Sequence, residues 1–388
     1  MGCTDGAASL YAGTEFGALK AITKTGRPVL NLALQGGGSH GAFTWGVLDA
    51  LLEDGRVELE GLSGTSAGAM NAVALAHGFA QAQGKSKLNA NEAARASLKK
   101  FWHGVVGMGA LGEAQRAPFN MLMGSLGGDA SPIGQMMASM TNMWSTAMKH
   151  SMSPYQNNPL DINPLKEFLE KQIDFEAIVK IKNLKLFVVA TGVSTGKAEI
   201  FSGKRLTAKA VMASACLPTL FKAVEIDGEH YWDGGYSGNP AIHPLIYNCA
   251  SRDIMLVQIN PIKREKLPTT AAEIMDRMNE ITFNAALIAE MRAIDFVKRL
   301  LAQGKLDASH YKDVLLHRID GGELLEGYSA ASKISTKSRM IHALRDLGRD
   351  SAKSWLAKNF TALGISDTVN LARDYLDDLR TPIQRNQA

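Results

Sequence analysis

Cysteine is scarce in this chain: Cys3, Cys216 and Cys249 are the whole set. They are odd in number and share no metal-ligand spacing with one another or with histidine, which excludes a disulfide framework and argues against a zinc site. A reducing, cytoplasmic setting without metal or cofactor is expected. Long apolar runs are also missing. Nowhere do about 18 apolar residues follow one another, as a membrane-spanning helix requires, so membrane contact is expected to be peripheral. The opening MGCTDGAASLYAGTEFGALK lacks the basic start and continuous apolar run of a secretory signal, and the Ser or Thr at position 6 of a myristoylation signal. Charge of one sign is in short supply too. A net +4 over 388 residues gives no field of the kind that collects nucleic acid.

What is present is a globular composition, 46% hydrophobic and 21% charged, long enough for one large α/β domain with additions or for two smaller domains. Residues 1–27 read as a loose lead-in. Pro28 then punctuates the entry to Val29-Leu30-Asn31-Leu32-Ala33-Leu34, a buried strand by its apolar continuity. A helix over Ala42 to Leu52, a strand over Val57 to Leu62 and a helix from Ser66 to His77 follow. This order is a βαβ unit, hence a parallel sheet covered on both faces. Leu184 to Ala190, Ile254 to Ile259 and Val314 to Ile319 are further strand candidates.

Nine of the 17 methionines fall between Met108 and Met152. In that stretch Ile133, Met136, Met137, Met140, Met143, Trp144, Met148 and Met152 recur mostly at steps of three and four, which predicts one broad apolar helical face. It suits either a cap over a site, about 104–160, or packing on the body of the protein. Past residue 263 the pattern is helical. Ile274, Met278, Ile281, Ala285, Ile288 and Met291 form one stripe, and Met340, Ile341, Leu344, Leu347 and Trp355 another. Lys263, Arg264 and Lys266 make a small basic cluster, suited to a solvated loop or to anionic headgroups.

Three short motifs carry chemistry. Gly64-Thr65-Ser66-Ala67-Gly68 fits GxSxG at a strand-to-helix junction, where a serine on a sharp turn can lift its hydroxyl clear of the sheet while the glycines let strand and helix close in. Taken alone, five letters in a glycine-rich chain also fit an ordinary turn. Gly36-Gly37-Gly38-Ser39-His40-Gly41 again follows a strand and opens a helix. Its backbone N–H groups can face an anion such as the oxyanion of acyl transfer. Gly36, Gly38 and Gly41 satisfy the dinucleotide fingerprint as well, but the acidic residue which that reading needs after the next strand is replaced by Gly64-Thr65-Ser66. Asp233-Gly234-Gly235, alone a turn signal, gains weight from the other two.

In this order and spacing, the GGGxxG loop, the GTSAG elbow, an Ala-Ser-x-x-x-Pro block from Ala213 to Pro218 and the downstream DGG resemble the patatin-like phospholipases over roughly residues 29–260. The resemblance implies an α/β fold, a three-layer α/β/α sandwich with a mainly parallel central sheet. In this chain that gives a catalytic domain over 28–262, with the Met-rich helical cap insertion, and a helical C-terminal extension over 263–388. It also implies a serine acyl hydrolase using Ser66 as nucleophile and Asp233 as base without histidine. Gly37 and Gly38 would donate to the oxyanion, with Ala67 a further donor, and Gly36, Gly41, Gly64, Gly68, Gly234 and Gly235 would shape the motifs. The implied substrates are phospholipid or lysophospholipid at a peripheral lipid or membrane surface. An intracellular polyester depolymerase working at inclusions and a non-catalytic lipid-surface binder are the alternatives, and no nucleic acid partner is expected. His40 departs from the family, which places Lys or Arg there. A Ser-His-Asp triad also uses GxSxG, and His243, His310 and His317 follow Asp233 in the order it needs. Against it, Gln35 stands before the glycines where the HGGG form has histidine.

Overall fold

A computed structural model describes residues 26–83, 89–126, 153–157, 163–328, 332–333 and 335–376. Its centre is an eight-stranded sheet built from β1 (Val29–Leu34), β2 (Glu58–Thr65), β3 (Lys185–Gly192), β4 (Ala198–Phe201), β5 (Val224–Ile226), β6 (Glu229–Asp233), β7 (Asp253–Gln258) and β8 (Leu315–Asp320). The order across the sheet is β5-β6-β3-β2-β1-β7-β8, with β4 paired to β3. From β3 to β8 all neighbours are parallel, whereas β4, β5 and β6 form an antiparallel edge. The five central strands are the five that apolar continuity picks out, because a strand buried on both faces has no polar alternation.

Alternation along these strands sends side chains into two separate cores. Leu30, Leu32 and Leu34 of β1, with Met255 and Val257 of β7, meet the helices α1 (Gly41–Asp54), α2 (Ala67–Ala82) and α3 (Ala90–Leu126). Ala33 of β1, with Ile254 and Leu256 of β7, faces Leu287, Met291 and Ile294 of α5 (Ala271–Ala302) on the other side. Period-two side chains feeding two helical layers make the three-layer α/β/α sandwich. The short α4 (Ala208–Ser214) lies beside β3 and β6, and α6 (Ser338–Asn359) covers α1. In α6, Ile341, Leu344 and Trp355 are buried against the first core.

Two helical features differ from the sequence expectation. Residues 104–126 are the second half of α3 rather than the start of a separate element, and the stripe from Ile133 to Met152 lies outside the described residues. The stripe on α5 keeps its period, but only its C-terminal part reaches the core. Met291 is buried, while Ile274, Met278 and Ile281 face solvent.

Candidate active site

The order β2-β1-β7 reverses direction at β1, because β1 continues to β2 on one side and is joined by the much later β7 on the other. Loops leaving the carboxyl ends of such strands form the crevice in which open α/β sheets bind ligands. The glycine loop after β1, Ser66 after β2 and Asn260 after β7 all lie there.

Ser66 has φ 53° and ψ −120°, a left-handed conformation that L residues rarely adopt, at the first turn of α2. Close approach holds it there. A Cβ on Gly68 would meet the Leu34 carbonyl oxygen at 2.1 Å, and one on Gly64 would meet the Gly68 backbone at 2.6 Å. Both motif glycines are therefore needed for α2 to start against the ends of β1 and β2. The Ser66 N–H donates to Ser214 Oγ at 2.9 Å, which gives the Ala213 to Pro218 block a structural duty.

The glycine loop abuts the serine directly. A Cβ on Gly36 would stand 2.9 Å from Ser66 Cβ, and one on Gly41 would meet Ala67 Cβ at 2.7 Å. Gly37 is fitted against Ile259, while Gly38, at φ 57°, has Lys333 across its Cα so closely that a side chain would strike the lysine carbonyl. Gly36 is held at both polar atoms: its N–H donates to Asn239 Oδ1 at 2.6 Å, and its carbonyl accepts from Asn260 Nδ2 at 2.7 Å. Lys333 Nζ in turn donates to Asn260 Oδ1 at 2.7 Å. Gln35 splints the strands below, accepting from the N–H groups of Ile259 and Asn260 at 2.8 Å and donating to Asn284 of α5 at 3.1 Å.

Asp233 ends β6 and is 2% exposed. β6 pairs with β3, so the carboxyl comes to the same end of the sheet as Ser66, whose side chain is near enough to lower its pKa. Burial pushes its pKa up to about 7, although the hydrogen bond from the Gly235 N–H, at 2.7 Å, and the nearby Ser66 side chain oppose the rise. Gly234 packs on Val189 and Gly235 on the Phe283 ring, so each half of DGG has a contact that a side chain would break.

Every motif residue read from the sequence thus gathers at one crevice. His243, His310 and His317, the triad candidates that follow Asp233, do not join it. His243 pairs with Glu290 at 3.1 Å, His310 with Asp307 at 2.9 Å, and buried His317 with Asp253 at 2.9 Å. His40 is buried, with Nε2 2.6 Å from Ser332 Oγ, and its pKa is lowered to about 4 by burial and by the charges of Lys333 and Arg264. It is therefore neutral at physiological pH, not partly charged as its residue type suggests. The cation beside the glycine loop is Lys333, brought in from the C-terminal extension. Asn239, Asn260 and Lys333 escaped sequence reasoning. The two asparagines each precede a proline near a strand end, a faint signal, and Lys333 has none.

Among the described residues no group of three or more His, Cys, Asp or Glu converges to hold a metal ion, and no helix is long and apolar enough to cross a membrane. A hollow of about 660 Å³ lined by Asp295, Lys298, Asp313 and Asp367 lies away from all three motifs.

Comparison with known proteins finds the family model described as Patatin-like phospholipase matching residues 32–246. Among solved structures, the crystal structure of VipD from Legionella pneumophila is similar at 17% identity and a TM-score of 0.38, covering 92% of this chain and 75% of that one. No curated protein matches.

Proposed function

Since this chain belongs to the patatin-like phospholipase family, whose model spans more than half of it, and is a lipid acyl hydrolase in that general sense, we propose that it cleaves carboxylic esters of phospholipid or lysophospholipid through a Ser66–Asp233 dyad. The observation carrying this reading is a serine held in a strained backbone conformation beside a carboxyl buried until its pKa approaches 7. A serine hydroxyl becomes a useful nucleophile when a base takes its proton in the transition state, and a base is most effective when its pKa lies near the working pH.

The chemistry follows in two halves. Ser66 Oγ attacks the ester carbonyl and its proton passes to the Asp233 carboxylate. The charge that develops on the carbonyl oxygen is met by the N–H groups of Gly37 and Gly38, with Ala67 adding a third. Collapse of the intermediate breaks the bond to the alcohol, which leaves with the proton from Asp233, and Ser66 carries the acyl group. Water then attacks that ester, gives a proton to Asp233, and the fatty acid departs as Ser66 regains its proton. Preorganised donors of this kind are each worth roughly 3–4 kcal/mol of transition-state stabilisation. Gly36, held from Asn239 and Asn260, and Gly38, backed by Lys333, keep the loop fixed while the charge forms.

The test is a panel of phospholipids, lysophospholipids, neutral glycerides and a short-chain polyester, offered to wild type and to Ser66→Ala. Fatty acid release from the phospholipid classes by wild type alone is expected. Release only from polyester moves the substrate to intracellular granules, and equal release by the variant removes Ser66 from the chemistry.

A further inference from the structure

A charge drawn back from water normally meets a counter-charge, because an ammonium left unpaired inside a protein is costly. Lys333 departs from this rule. It is only partly exposed, and burial, before any other influence, holds its pKa below the usual lysine range. Its Nζ donates to an amide oxygen, Asn260 Oδ1, and among the described residues it forms no ion pair. Glu280 draws on it from a distance but already binds Arg264 at 2.6 Å and Arg277 at 3.2 Å.

The same lysine touches the glycine loop twice. Its carbonyl lies across Gly38, where a side chain would strike it, and its ammonium holds Asn260, whose Nδ2 donates to the Gly36 carbonyl at 2.7 Å. A Cβ on Gly37 would stand 3.5 Å from Asn260 Oδ1, so the charge is one asparagine removed from that glycine. Ser332, the residue before, meets His40 Nε2 at 2.6 Å where the loop ends. The helix that follows is seated just as closely. A Cβ on Gly46 of α1 would strike the Arg345 carbonyl of α6, and one on Gly348 of α6 would strike the Phe43 carbonyl of α1. The extension is thus packed backbone to backbone on the helix that the glycine loop opens.

We propose that Lys333 is a positioning residue for acyl transfer: through it the C-terminal extension clasps the glycine loop and sets behind Gly37 and Gly38 a positive charge whose counter-charge is the oxyanion. The inference deepens the acyl hydrolase reading and rests on it. Before reaction the ammonium lacks a partner. As the carbonyl oxygen gains charge the attraction grows, so it lowers the barrier rather than tightening binding of the ground state. Its neighbours do not take that part. His40 is neutral, its pKa lowered to about 4 by burial and then by the charges of Lys333 and Arg264 against Glu280. Arg264 is engaged with Glu280, and Asp276 acts on Lys333 only through space.

The experiment measures kcat and KM of the full chain on a short neutral ester and on a soluble short-chain phosphatidylcholine, across neutral and alkaline pH, for wild type, Lys333→Met and Lys333→Arg. Lys333→Met keeps the length of the side chain and drops its charge. It is expected to lose about 10- to 100-fold in kcat, less than the loss of a direct oxyanion donor, equally on both substrates and with KM unchanged. Its melting temperature is expected to stay within about 2 °C of wild type, because an unpaired charge leaves together with a hydrogen bond. Lys333→Arg is expected to recover most of the kcat. Wild-type kcat is expected to fall at alkaline pH as the ammonium loses its proton, a limb absent from Lys333→Met and from Lys333→Arg, whose guanidinium stays charged. Wild-type kcat in Lys333→Met overturns the proposal. A loss that Lys333→Arg does not restore, or that comes with a lower melting temperature, assigns Lys333 to packing. A raised KM for the phosphatidylcholine alone gives the charge to the headgroup instead. The two readings fail separately. A wild type that neither releases acid nor takes a fluorophosphonate sinks the hydrolase and the clasp with it, whereas an active, probe-labelled wild type matched by Lys333→Met loses the clasp alone.

Discussion

Replacing Asp233 by Asn perturbs catalysis and stability in opposite directions, and both follow from its burial. In the unfolded chain the carboxyl ionises near 3.8, and in the folded protein only near 7. A carboxyl whose folded pKa is raised contributes stability that is complete below the unfolded value. This contribution is lost progressively as pH climbs, and is gone once pH passes the folded value. Three units at about 1.36 kcal/mol each place the loss on the order of 4 kcal/mol above pH 7. Asparagine keeps an oxygen to accept the Gly235 N–H and carries no charge to desolvate. Asp233→Asn is therefore expected to match wild type near pH 4 and to be more stable above pH 7. With about 2.1 cal/mol/K of unfolding entropy per residue, a chain of this length shifts its melting temperature by roughly 1 °C per kcal/mol, so a gain of about 4 °C is expected at pH 8. Its turnover is expected to fall by at least about 10²-fold, the usual worth of a general base. Wild-type kcat/KM should rise tenfold per pH unit below about 7 and level off above it, because the base works only when ionised. Calorimetry of both proteins from pH 4 to 9 and a pH–rate profile on a short ester check the two halves. A variant less stable than wild type at pH 8, or a wild-type profile flat through pH 7, refutes the reasoning.

Alanine at His243, His310 or His317 is expected to leave most short-ester turnover, because each bonds a carboxylate of its own; a loss as deep as that of Asp233→Asn at any one of them restores the triad. Asn260→Ala should cost about 1–3 kcal/mol in denaturant unfolding, since it leaves the Gly36 carbonyl with only the long 3.5 Å bond from Asn239 and takes Oδ1 from the Lys333 ammonium; it should also slow turnover through a slackened glycine loop, and wild-type behaviour in both assays contradicts that role. For the Met-rich segment, Met136→Gln/Met140→Gln/Met143→Gln is expected to reduce hydrolysis of vesicles and spare a water-soluble ester, as a cap would; parallel loss on both substrates together with a lower melting temperature shows core packing instead.

The parallel centre of the fold was legible because β1, β2, β3, β7 and β8 are buried on both faces and read as apolar runs. β6 was not. Glu229-His230-Tyr231-Trp232-Asp233 mixes an exposed charge with one buried and one half-buried ring at an antiparallel edge, and no periodicity announces it as the strand that carries the base. On α5 the spacing of Ile274, Met278 and Ile281 revealed a helix correctly, yet a stripe states only that a face exists. It cannot say whether protein, lipid or water covers it. The three motifs were readable because their glycines answer local demands, such as the closeness of Gly68 to Leu34. Asn239, Asn260 and Lys333 act on the glycine loop from more than 200 residues away, and contacts of that kind are fixed by the folded sheet rather than by any local pattern.

The central claim, that Ser66 is acylated with Asp233 as its base, is tested most directly by intact-protein mass spectrometry after exposure to a fluorophosphonate probe, followed by peptide mapping. The account predicts a single adduct on Ser66, none on Ser66→Ala, and labelling of Asp233→Asn slowed by at least about 10²-fold. An adduct on any other residue, or undiminished labelling of Asp233→Asn, contradicts it.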